Sequence, residues 1–119
     1  TLDPEHHDRV LAATSHLPHV LAFALVDLLA RQQESEEIFR YSAGGFKDFT
    51  RIASSDPIMW RDVCLTNREA MLQAMDDLNE HLHTLRQAID VQDGDTLENT
   101  FRRARTARDE HILDVGLKD

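Results

Sequence analysis

Between Val20 and Ala30 the chain is apolar around nearly the whole helical circumference, and only Asp27 interrupts it. Upstream and through this run, Val10, Thr14, Leu17, Leu21, Ala24 and Leu28 recur at spacings of three and four. That period predicts one long helix starting at Pro4, with Asp3 as its cap. Val20, Phe23, Leu25 and Val26 fill much of the remaining circumference. A helix that is apolar nearly all round has to be buried on several sides. In a chain of 119 residues, this calls for burial by a second subunit. Pro18 lies inside the stripe; it removes one backbone hydrogen bond and its ring crowds the carbonyl of Thr14, so a kink is expected there.

Few turn formers are available to make anything but helices. The chain holds 4 glycines and 3 prolines, aromatic residues are only 6%, and no β-branched run stands out. The expectation is one all-α domain over residues 1–119, a helical bundle with a long central helix. A net charge of −9 argues against nucleic acid as a partner, because phosphate binding needs a basic surface. The single cysteine, Cys64, allows neither an intrachain disulfide nor a thiolate metal cluster and fits a reducing, cytoplasmic setting. Val20–Ala30 is too short to span a bilayer, so no membrane partner is expected.

The middle of the chain carries the densest local signals. Gly44-Gly45 is read as the end of a loop from Tyr41, after a short helical stretch over Glu34 to Arg40. Phe46, Phe49, Ile52 and Ala53 then give a short helix one apolar face, with Lys47, Asp48 and Arg51 opposite. Ser54-Ser55 ends it, and Asp56-Pro57 caps and starts the next. From Pro57 a single long helix is expected to reach Ile89 or Gln92, with Met71, Met75, Leu78, Leu82, Leu85 and Ile89 as a heptad-like seam. Asp93-Gly94-Asp95 reads as a turn with Asp95 capping a last, basic helix through Leu97, Phe101, Ala104 and Arg108 towards Leu113.

Three sets of residues can carry chemistry. His16 and His19, three apart and on one helix face around Pro18, are either a polar site or two core histidines bonded to backbone. A metal site drawing on His6, His7, His16 and His19, or on His81, His83 and His111, is the weaker alternative, since no second pair with carboxylates accompanies them. Arg51 is either a bidentate carboxylate holder or half of a surface pair with Asp48. Trp60 is either a pocket wall or an ordinary core aromatic. Gly44, Gly45, Gly94 and Gly116 cannot build a phosphate-binding loop, and no serine nucleophile motif is present, so any active site needs residues from another segment.

Ser15-His16-Leu17-Pro18-His19 followed by Ala22-Phe23-Ala24-Leu25, then Ala43 to Ala53 and Ser55 to Asp62, closely resembles the helical C-terminal domain of the prephenate dehydrogenase family, which includes arogenate dehydrogenases. The motifs lie between about Glu5 and Arg68; beyond them only helical character is shared. The resemblance implies an intertwined homodimer and half of an enzyme that oxidatively decarboxylates prephenate to 4-hydroxyphenylpyruvate in tyrosine biosynthesis. It implies NAD or NADP bound by a Rossmann domain that also supplies the catalytic histidine, neither being in these residues, so this fragment alone is expected to be inactive and to bind no cofactor and no metal. On the same ground His19, Arg51 and Trp60 are expected to contact substrate, His16 and Ser15 to flank the pocket, and Asp48 to lie near the cleft at the subunit interface. A non-catalytic helical dimerisation module is the competing reading.

Overall fold

In the computed structural model, which describes residues 3–113, Asp3 opens the first helix by accepting the His6 N–H at 2.9 Å. Pro4 follows at a position where no backbone donor is needed. Helix α1 (Pro4–Leu11) passes through a π turn (Ala12–His16) into α2 (Leu17–Ala30) without interruption. The expected kink at Pro18 is therefore met by a locally wider helix. Leu17 N–H bonds Ala12 O, five residues back, and the broader turn makes room for the pyrrolidine ring.

The continuous helix is 27 residues long, and by length and composition alone it could cross a membrane. This corrects the reading from Val20–Ala30, which counted only the most apolar 11 of these 27 residues. The core helices of soluble proteins meet the same criterion.

Helix α3 (Ser35–Arg40) and α4 (Gly44–Thr50) come next. Both glycines are helical, so the loop before α4 is shorter than expected; Ala43, extended at φ −97° and ψ 176°, is the junction. A 3-10 turn (Arg51–Ser54) leads to extended Ser55 and to Asp56, whose carboxylate accepts the Ile58 N–H at 3.0 Å and caps α5 (Pro57–Thr66).

The single long helix expected from Pro57 is two helices. Asn67, at φ −101° and ψ 41°, separates α5 from α6 (Arg68–Asp90). Asparagine leaves helical geometry readily because its amide can bond elsewhere, and here it does.

The next turn also differs from expectation. Helix α6 ends in a Schellman motif whose left-handed residue is Gln92, at φ 58°, with Asp93 N–H on Ala88 O at 2.8 Å and Gln92 N–H on Ile89 O at 3.2 Å. Asp93, not Asp95, then caps α7 (Gly94–Ala107). It accepts the Thr96 N–H at 3.1 Å and the Thr96 hydroxyl at 2.6 Å, and these bonds hold its carboxyl below the usual carboxylate range. A π turn (Arg108–Leu113) follows.

The chain divides into two compact units that meet within α6, between Asp76 and Asp77. In the first, α2 is the centre: α3, α4 and the 3-10 turn pack on it, and the rings of Phe39 and Phe46 lie 6.3 Å apart. Phe49 is half exposed, so it does not anchor the apolar face of α4 as Phe46 does. Burial within the chain is thin. Among the described residues only Ala12, Ala22 and Met71 in the first unit and Ala88 in the second are buried, and no large side chain is fully enclosed. Leu28 (58% exposed), Leu82 (50%) and Ile89 (64%) stand open on faces that their spacing marks as packing surfaces.

Candidate functional site

The π turn decides how the two histidines are presented. The Ser15 carbonyl, within the widened turn, accepts from His19 Nδ1 at 2.8 Å. Ser15 thus reaches the site through its backbone. Held this way, the His19 ring stacks on Trp60, with centroids 3.8 Å apart and planes 17° apart. His16 meets the same indole edge-on, at 6.0 Å and 73°. Trp60 owes its place to Asp56-Pro57, which fixes the start of α5 and so the face on which residue 60 falls.

His19 bonds to backbone, whereas His16 bonds to the Asn67 side chain, and both rings are half-buried. The indole N–H of Trp60 is buried without a hydrogen-bond partner among the described residues. Such a donor is uncommon in a finished core and common where a site is completed by another group.

Asn67 joins the cluster from the α5–α6 break. Its side-chain nitrogen lies 3.1 Å from the Asp8 carbonyl oxygen and 3.2 Å from His16 Nδ1. His16 lines an open groove of about 400 Å³ with Asp8, Met59, Asp62, Val63, Thr66 and Asn67. Partial burial pushes the His16 pKa down and the nearby His19 ring adds to that, while Asp8 works the other way. His16 is thus biased to the neutral form. Asn67 was not foreseen; the available signal was an asparagine interrupting an otherwise strong helical pattern, which marks a helix end.

Arg51 opens the 3-10 turn and is exposed. The surface pair with Asp48 does not form, and among the described residues no hydrogen bond, ion pair or ring contact joins Arg51 or Asp48 to the histidine–tryptophan cluster. Cys64 is half-buried beside an apolar groove that also includes Phe23, Pro57 and Trp60.

Among the described residues no group of three or more His, Cys, Asp or Glu is placed to hold a metal ion. Among the described residues there is no strand followed by a glycine loop, and Gly44, Gly45 and Gly94 sit in the first turns of helices without positive φ.

The described residues are almost wholly helical, with a histidine–tryptophan cluster and open apolar faces, and the comparisons with known proteins give the family. The family model "Prephenate dehydrogenase, dimerization domain" matches residues 3–103, and the chain belongs to that family. It is 45% identical to the cyclohexadienyl dehydrogenase of Zymomonas mobilis over 109 residues, covering 90% of this chain and 37% of that protein. The solved prephenate dehydrogenase of A. aeolicus, in complex with hydroxyphenyl propionate and NAD+, superposes with a TM-score of 0.85 at 44% identity, over 92% of this chain and 38% of that one. Synechocystis arogenate dehydrogenase superposes at 0.86 with 25% identity, over 92% and 41%. The chain therefore spans about two fifths of the length of these relatives.

Proposed function

We propose that this chain is the substrate-binding and dimerisation domain of an NAD(P)-dependent prephenate dehydrogenase, acting in oxidative decarboxylation of prephenate to 4-hydroxyphenylpyruvate. The observation that carries this reading is that two motifs some forty residues apart in sequence meet in space, with His19 of the first lying flat on Trp60 of the second. Family membership and the likeness to a dehydrogenase holding a hydroxyphenyl ligand and NAD+ support it.

In this reading His19, Trp60, His16 and the Ser15 backbone form one wall of the cleft. Arg51, exposed and without an acidic partner among the described residues, holds a substrate carboxylate in two-point fashion. Cofactor and proton-abstracting histidine come from a dinucleotide-binding domain outside these 119 residues. The open faces at Leu28, Leu82 and Ile89 are covered by a second copy rather than by lipid, Asp48 lies near that junction, and the whole works as one domain in the cytoplasm. The Synechocystis likeness makes arogenate the substrate to test beside prephenate.

The test is steady-state kinetics on the full-length polypeptide that carries this chain. Arg51→Ala should raise KM roughly ten- to several-hundred-fold, the loss of a charge-assisted bond worth about 1.5–3 kcal/mol in ground and transition states alike. Arg51→Lys should recover only part. A sharp drop in melting temperature with KM unchanged would make Arg51 a structural residue and overturn the assignment.

A further inference from the structure

The two histidine rings are held with their protons on opposite nitrogens, and the contacts show how. A backbone carbonyl can only accept. The Ser15 oxygen, 2.8 Å from His19 Nδ1, therefore requires the proton on that nitrogen, which leaves Nε2 of a neutral His19 with a lone pair.

His16 is set through Asn67. The Asp8 carbonyl oxygen, 3.1 Å away, orients the Asn67 amide with its NH2 group inwards. That NH2 has two hydrogens and no lone pair to offer. The same nitrogen lies 3.2 Å from His16 Nδ1, so Nδ1 must accept and a neutral His16 carries its proton on Nε2.

We propose that Asn67 is a positioning residue that holds His16 as an Nε2–H donor for an oxygen of the bound substrate, beside a His19 whose Nε2 accepts. The pair then offers one donor and one acceptor, a match for a ligand carrying both carboxylate and hydroxyl groups; the ligand part rests on the functional reading above. The bridge also explains where the helix breaks. Asn67 gives up helical geometry at the one place where its amide reaches both α1 and the π turn.

Long-range nitrogen–proton NMR on the 119-residue chain, above the pH range of histidine titration, reads the tautomers directly. The expected result is an acceptor-type Nδ1 and a protonated Nε2 for His16, and the reverse for His19. Asn67→Asp, which can only accept, should move His16 to the Nδ1–H form with helicity unchanged. Should that variant not fold, the unmutated spectrum still decides. A His16 that is Nδ1–H in the unmutated chain, or a tautomer untouched by Asn67→Asp, overturns the proposal. Kinetics on the full-length Asn67→Asp variant test the ligand part separately. A severalfold rise in KM supports a donor at His16. An inverted tautomer with KM unchanged would overturn the role of His16 towards substrate while leaving the action of Asn67 on His16 standing.

Discussion

His19 lies flat on Trp60, 3.8 Å between ring centroids, and the indole thereby joins α2 to α5. His16 adds an edge contact to the same ring. Trp60→Ala removes both contacts, and because Trp60 is only half-buried the loss should be about 2–3 kcal/mol, below the roughly 3–5 of a fully buried tryptophan. Trp60→Phe keeps a stacking surface, and with it most of an aromatic-pair contribution of about 0.5–1.5 kcal/mol, so it should lose no more than about 1 kcal/mol. Denaturant unfolding of the two variants checks the order; equal losses would mean that packing volume, not the stack, carries the contact.

The pH dependence of stability follows from His16. Its pKa is lowered in the folded state, first by burial and then by His19, with Asp8 opposing. The unfolded chain therefore takes up the proton more readily. The His16 contribution should be fully present above a pH of about 6.5 and lost as pH falls through the lower folded value. Protonation also removes the Nδ1 lone pair that Asn67 needs. Melting curves across this range should slope less steeply in His16→Gln than in the unmutated chain. Parallel slopes would place the sensitivity at another group.

Leu82 is half exposed in the chain by itself, as is Leu28. On a free surface Leu82→Glu or Leu28→Glu should change stability by less than about 0.5 kcal/mol. On a face covered by a second copy the same carboxylate must be desolvated without a partner, which is strongly unfavourable. Sedimentation at micromolar concentration should show the dimer dissociating in both variants. A dimer that persists in both would place the interface elsewhere.

Gln92 occupies the left-handed position of the Schellman turn, which costs a residue with a side chain about 1 kcal/mol relative to glycine. Gln92→Gly should stabilise the chain by about 0.5–1 kcal/mol. Gly94, two residues on, is helical, and a Cβ there would meet nothing within 4 Å, so Gly94→Ala should also stabilise, by about 0.4–1 kcal/mol. Thermal unfolding checks both. A destabilised Gln92→Gly would mean that the Gln92 side chain does more than fill the turn.

The sequence by itself determined that the chain is helical, where α1 and α5 begin, and that its apolar faces outrun its size. These are local facts: Asp3-Pro4 and Asp56-Pro57 act within one turn, and a period of three and four is visible without any partner. His16, His19 and Trp60 were legible as candidates because their motifs are distinctive. Tertiary structure alone decided what they do to one another. The break at Asn67 replaces a local preference with bonds made elsewhere, whereas the π turn ahead of Pro18 and the left-handed Gln92 are closed by bonds within their own turns. Asn67 shows the reason most clearly. Its amide reaches Asp8 and His16, 59 and 51 residues away, and no pattern within α5 or α6 records that distance. Propensity can mark a residue as able to end a helix, but only the fold supplies the acceptors that make it do so.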